Sequence, residues 1–271
     1  MYAMNIKKLR LALIGKDVSK STSNKIHAFI LAEKGVECDF EYFSVSPESF
    51  DGAMRRLLGD FDGFSVTIPY KRDVLAYLEG VSGDALACGA VNTVVTSLGQ
   101  GYNTDTKGFL LMLAAAGVEI ENKSVLILGA GGAGRSSAVA LKNAGAHVSM
   151  YRRNRAELEE TCQELGVKAT IAPESGGYDI VINCTGVGMH DTEGVSPVQA
   201  SAFKGASWAI DLIYTPEESE FLKLAKTQGV KTLNGKSMLF YQAYYADCLY
   251  LGHEPDQAEA KRLYEKYLSI K

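Results

Sequence analysis

Apolar and polar positions follow two rhythms along this chain, and the rhythms take turns: short apolar runs that suit strands, and spacings near 3.6 that suit helices. Leu11-Ala-Leu-Ile-Gly15 predicts a first strand ending in a turn. Ile26, Phe29, Ile30 and Leu31 predict a helix, with Ser23 or Asn24 as its cap and Gly35 as its stop. Cys38 to Val45 reads as a second strand, and a helix follows from about Pro47, with Phe50, Met54, Leu57 and Leu58 on its apolar side. Gly63 to Ile68 reads as a third strand that Pro69 ends, and Lys71 opens a further helical stretch carrying Val74, Leu75 and Leu78. The order is βαβα, which predicts a parallel sheet in roughly the first hundred residues.

Val91 to Thr96 and Gly99-Gln-Gly101 then predict a hairpin or edge pair. A helix from Lys107 to Ala116, capped by Thr104 or Asp105, stops at Gly117. Strands are expected near 125–128, 147–151, 168–172, 179–183 and 208–212, with helices between most of them. Helices return at Gly235 to Leu251 and at Pro255 to Ser269. The pattern as a whole predicts an α/β fold of two α/β domains. The second is a Rossmann-type doubly wound parallel sheet, and the C-terminal helices pack back on the first. Residues 1–105 plus 239–271 form one expected domain and residues 106–238 the other.

The sharpest local signal is Val125-Leu-Ile-Leu-Gly-Ala-Gly-Gly-Ala-Gly134. An apolar strand runs into Gly129, Gly131 and Gly134 in G-x-G-x-x-G spacing, and an Ala-rich helical segment, Ser136 to Asn143, follows. In that setting the first glycine makes a tight turn, the second lets backbone approach a pyrophosphate, and the third lets helix and strand pack closely. Free N–H groups at the helix N-terminus would receive the pyrophosphate. Gly129, Gly131, Gly132, Ala133 and Gly134 are therefore candidate cofactor contacts. The next strand, His147 to Tyr151, ends where an NAD-binding protein would carry an acid for the ribose. Here stand Arg152, Arg153 and Arg155, and the first acid is Glu157. Guanidinium groups bind phosphate oxygens bidentately, which favours NADP over NAD.

Composition narrows the partners. The chain has 271 residues, enough for two modest domains or one large one, and its 46% hydrophobic and 22% charged residues describe an ordinary globular protein. A net charge of -4 argues against nucleic acid as a partner. Cys38, Cys88, Cys162, Cys184 and Cys248 are an odd, scattered set without C-x-x-C, which points to reduced thiols, a cytoplasmic location and no metal site. No apolar run is long enough for a membrane helix.

In α/β sheets ligands gather beyond the carboxyl ends of the strands, and polar residues cluster at such places here. Ser21 and Ser23 follow the first strand, Thr67 and Lys71 flank the end of the third, Asn92 opens the next, and Asn103, Thr104 and Asp105 close the hairpin. Taken singly, each also reads as a cap or a solvated first-turn residue.

Together they carry a resemblance. Ser21-Thr-Ser23 with Ile26-His27, Ser65-Val-Thr-Ile-Pro-Tyr-Lys71, Gly89-Ala-Val-Asn-Thr93, Asn103-Thr-Asp105, and Gly235 with Met238-Leu-Phe-Tyr-Gln242 occur in this order. With Asn183-Cys-Thr-Gly-Val-Gly-Met189 and Asp211-Leu-Ile-Tyr214 they resemble the shikimate dehydrogenase family over nearly the whole chain. The resemblance implies that Lys71 and Asp105 are the catalytic pair and that Ser21 and Ser23 hold the substrate carboxylate. It implies further substrate contacts from Thr67, Asn92, Tyr214 and Gln242. It places Arg153, with Arg152, at the 2′-phosphate of NADP(H), and Thr185 and Met238 beside the cofactor. The first domain would then bind shikimate or 3-dehydroshikimate and the second NADP(H), in a monomer or homodimer. Four positions depart from the pattern: Asp17, Lys20 and Asn24 stand for Pro, His and Pro, and Ser65 for Asn. Other readings of the same architecture are a quinate- or amino-shikimate-type dehydrogenase and a non-catalytic nucleotide sensor. A sensor has no use for the Lys71–Asp105 pair. Which of the two would transfer the proton is not legible in the sequence.

Overall fold

The computed structural model describes residues 6–270 of the chain. Two compact units emerge, one made of residues 1–108 with 240–271, the other of residues 109–239. Among the described residues, no helix is long and apolar enough to cross a membrane.

The first unit is built on β1 (Lys8–Gly15), α1 (Ser23–Glu33), β2 (Glu37–Ser44), α2 (Phe50–Asp60) and β3 (Gly63–Val66). Short elements follow: β4 (Gly80–Val81), α3 (Gly83–Cys88), β5 (Thr93–Val95) and β6 (Gln100–Tyr102), before α4 (Asp105–Ala115) begins. The sheet order is β2-β1-β3-β5-β6-β4. β1 pairs in parallel with both β2 and β3, because each crossover carries a helix. β5 runs antiparallel to β3 and to β6, so the sheet is mixed, not parallel throughout. On one face Met54 and Leu57 of α2 pack with Ile14, Phe64, Val66 and Val94. On the other, Leu11 and Leu31 pack with Ala246, Tyr250 and Leu251.

One expectation fails here. The stretch after Lys71 is not a helix but a single 3-10 turn, Asp73–Tyr77, which runs into β4. Its apolar residues span barely more than one turn, and the backbone is already extended at Leu78. A helix restarts only at α3, where the Ser82 hydroxyl accepts the N–H of Ala85.

The second unit contains β7 (Ser124–Leu128), α5 (Gly132–Asn143), β8 (His147–Tyr151), α6 (Arg155–Leu165) and β9 (Lys168–Ala169). After them come β10 (Ile180–Asn183), β11 (Trp208–Asp211), α7 (Glu220–Thr227) and β12 (Lys231–Asn234). All its strand pairs are parallel, in the order β12-β11-β10-β7-β8-β9. Counted from β7 as the unit's first strand, this is the doubly wound arrangement of a Rossmann sheet, with the topological switch between β7 and β10. β7 and β10 are buried along nearly their whole length, which explains their unbroken apolar runs. Phe203, Phe221, Leu222 and Ala225 fill one face against Leu126, Leu128, Val181 and Ala209. β9 is shorter than the expected 168–172, and β12, with only one apolar residue, has no counterpart in the expected elements.

The last helices are α8 (Lys236–Leu251) and α9 (Gln257–Ser269). From Phe240 onward they belong to the first unit, where Phe240 lies 6.3 Å from the Phe29 ring and 5.3 Å from Tyr264. The Tyr-rich run serves packing: Tyr241, Tyr244, Tyr245 and Tyr250 are all buried.

Candidate active site

In the first unit the chain leaves β1 by a loop toward β2 on one side and leaves β3 by a loop toward β5 on the other, the place in an α/β sheet where ligands gather. The two loops are stitched at their base, where Thr67 N–H donates to Ile14 C=O (2.9 Å) and Lys16 N–H to Ile68 C=O (3.1 Å). Lys71 follows β3. Its own carbonyl accepts the N–H of Val91 (2.8 Å), which ties it to the segment entering β5.

That segment places the carboxylate. Asn92 is buried, its Oδ1 accepting the N–H of Thr104 (2.8 Å) and its Nδ2 donating to Asp105 Oδ1 (2.8 Å). Asp105 opens α4, and its other oxygen accepts Lys71 Nζ at 2.5 Å. Both side chains are largely buried, 15% and 9% exposed, so the pair is held with little water around it. Gln242 Oε1 stands 3.4 Å from Asn92 Nδ2. α8 can come so close to α4 because residue 108 is glycine: a Cβ there would lie 2.6 Å from the Gln242 nitrogen. Lys71, Asp105, Asn92 and Gln242 thus form one contact network.

Ser21 and Ser23 form a second group. Ser21 Oγ accepts the N–H of Ser23 (3.2 Å) and lies 3.0 Å from Ser23 Oγ. Ser23 begins α1; the N-cap is Thr22, which makes no side-chain cap bond, while Asn24 Oδ1 accepts the N–H of Lys25 (2.8 Å). Thr67 sits between these groups along the chain, at the carboxyl end of β3.

In the second unit Gly129 follows β7 with φ +102°, a value that only glycine adopts without strain. A Cβ on Gly134 would fall 2.1 Å from the Gly129 carbonyl oxygen, whereas one on Gly131 would meet nothing within 4 Å. The third glycine is therefore demanded by packing, and the second leaves open space over the turn. α5 starts at Gly132 with no side-chain cap, leaving the N–H groups of Gly132, Ala133 and Gly134 for an anion. These features fit a dinucleotide's pyrophosphate. Across the switch point, Thr185 follows β10 and its methyl lies 3.0 Å from where a Gly129 Cβ would be. Beyond β8, Arg152 is engaged by Glu157, while Arg153 is exposed. Tyr214 is 40% exposed and Met238 is buried. Both lie in the second unit.

Sequence reasoning left the support of these loops unread. Asp211, at the end of β11, is fully buried and accepts from Asn183 Nδ2 (3.0 Å), Ile213 N–H (3.0 Å) and the Ser219 hydroxyl. Asn183 Oδ1 in turn accepts both N–H and hydroxyl of Thr185 (3.0 and 2.6 Å). One carboxylate thereby shapes the loops that carry Thr185 and Tyr214. Burial pushes its pKa up to about 6, against hydrogen bonds that favour the charged form. Burial also pushes the Cys184 thiol up to about 12, so this cysteine is a protonated packing residue and not a nucleophile. His27 is buried, with its Nδ1 2.6 Å from Asp247 Oδ1.

A Rossmann sheet with a glycine turn at its switch point, and a lysine–carboxylate pair at the switch point of a second sheet, define a two-unit α/β dehydrogenase. Comparison with known proteins gives the particular group. Residues 13–94 match the profile of the shikimate dehydrogenase substrate binding domain. The NADP(+) shikimate dehydrogenase of Thermus thermophilus is 35% identical over 264 residues, 97% of this chain and all of that one. Its crystal structure in complex with NADP(H) and shikimate superposes with a TM-score of 0.87, covering 95% and 99% of the two chains. A chorismate mutase/shikimate 5-dehydrogenase fusion protein from Clostridium acetobutylicum, 34% identical, gives 0.88 over 98% and 99%. The chain belongs to the shikimate dehydrogenase family.

Proposed function

We propose that the protein catalyses the reversible, NADP(H)-dependent reduction of 3-dehydroshikimate to shikimate, a step of aromatic amino-acid biosynthesis. The observation that carries this reading is the Lys71–Asp105 contact, 2.5 Å long and anchored by Asn92 beside a sheet's switch point. NADPH, when bound, supplies the hydride. As the hydride arrives, negative charge develops on the substrate's carbonyl oxygen. The Lys71 ammonium stabilises it by a charge-assisted hydrogen bond, and the proton is exchanged through the Lys71–Asp105 pair.

The unit of residues 1–108 with 240–271 binds the ring acid. Ser21 and Ser23 grip its carboxylate, while Thr67, Asn92 and Gln242 contact the ring hydroxyls. Residues 109–239 bind NADP(H). Gly129 to Gly134 receive the pyrophosphate, Arg153 with Arg152 takes the 2′-phosphate, and Thr185 and Met238 border the nicotinamide side. The openness above Gly131 and the uncapped start of α5 support that assignment. We place the protein in the cytoplasm as a monomer or homodimer, without nucleic-acid or membrane partners, a placement supported by its -4 charge and free thiols. The test is spectrophotometric: NADP reduction with shikimate, then with quinate, then with NAD in place of NADP. Turnover confined to shikimate and NADP is the expected result. Absence of NADP reduction by shikimate overturns the reading.

A further inference from the structure

The segment from the end of β1 into the first turn of α1 carries both serines of the proposed carboxylate grip, and β2 adds to its support from alongside. Tyr42 and Ser44, two residues apart and so on one face of the strand, reach the loop at three points. Ser44 Oγ accepts the N–H of Val18 (3.1 Å). The Tyr42 hydroxyl donates to the carbonyl of Ser21 (3.0 Å) and accepts the N–H of Asn24 (3.1 Å). A single hydroxyl therefore brackets the turn from which both serine side chains project. Asn24, one of the four departures from the family pattern, supplies an N–H that a proline would lack.

The Tyr42 ring is itself held. Phe40 meets it edge-on at 5.4 Å, His27 stacks on Phe40 at 5.3 Å, and His27 Nδ1 lies 2.6 Å from Asp247 Oδ1. The last two side chains are 1% and 0% exposed. A row of packed rings anchored on a buried polar pair thus fixes where the hydroxyl points.

We propose that Tyr42 is a positioning residue for the substrate: its hydroxyl, bonded to Ser21 C=O and Asn24 N–H, sets the spacing of the two serine hydroxyls that grip the ring acid's carboxylate. The inference rests on the function proposed above. Two hydroxyls bind the two oxygens of a carboxylate well only at a matched spacing, and a turn freed at both ends loses that match.

Tyr42→Phe keeps the ring and its packing and removes only the bracket. Its KM for shikimate should rise roughly five- to tenfold, with kcat and the KM for NADP within about twofold of the parent's. A merely structural role would lower the active fraction, reducing apparent kcat at unchanged KM, or would move both KM values together. Either of those results, or a shikimate KM within about twofold of the parent's, overturns the inference. A parent protein that does not oxidise shikimate removes the function itself and this inference with it. An active parent with an unaltered Tyr42→Phe removes the inference alone.

Discussion

At the scale of single residues, Lys71 is defined by its company. Its ammonium faces one oxygen of Asp105 while Asn92 holds the other, so the charge is aimed and nearly dry. Lys71→Ala should leave NADPH affinity within about threefold and cut kcat by at least a hundredfold, as expected for a group acting in the transition state. Near-normal kcat in that variant would take Lys71 out of the reaction. Asp211 makes the matching prediction for stability. Its folded pKa of about 6 lies above the ordinary 3.8, so the folded state takes up a proton before the unfolded chain does. The stabilisation this brings is fully present below the unfolded value and is lost as pH rises through about 6. Asp211→Asn has no proton to take up. The Tm of the variant should gain on that of the parent as pH is raised from about 5 to about 8, and a constant gap would contradict the assignment.

At the scale of elements, the turn from β7 into α5 separates two demands on glycine that look alike in sequence. Gly134→Ala drives a Cβ into the Gly129 carbonyl, a backbone contact that cannot yield cheaply. It should destabilise the protein by about 2–4 kcal/mol. Gly131 has φ −78° and open space, so Ala is tolerated by the fold. Gly131→Ala should keep Tm within about 2 °C while raising the KM for NADP roughly tenfold or more, because its methyl occupies the space meant for the pyrophosphate. Thermal melts and cofactor titrations of the two variants check both halves. The G-x-G-x-x-G spacing was readable because each glycine meets a separate demand of such a turn: positive φ at Gly129, room for a ligand at Gly131 and close packing at Gly134. The single 3-10 turn that replaces the helix expected after Lys71 was not, since a chain of marginal helical preference yields to its surroundings, here the pairing of the short strand β4 beside β6.

At the scale of the whole molecule, the chain leaves its first unit after residue 108 and returns to it at 240. The second unit is one continuous segment with its own core, so residues 109–239 expressed alone should fold cooperatively and retain NADP binding. Residues 1–108 alone lack Tyr250, Leu251 and Asp247, which complete the core beside β1 and partner His27, and should not give a cooperative melt. Calorimetry on the two fragments decides the matter.

Local order was written in the sequence: the alternation of strands and helices, the glycine turn and the arginines after β8 follow from short-range sterics and charge, while the serine, lysine and aspartate blocks were legible only as a resemblance. Which distant residues meet was decided only by the tertiary structure. Nothing in the spacing of Tyr42 and Ser21, of His27 and Asp247, or of Asn183 and Asp211 marks them as partners, because such contacts depend on strand register and helix docking, which arise from packing summed over the whole unit.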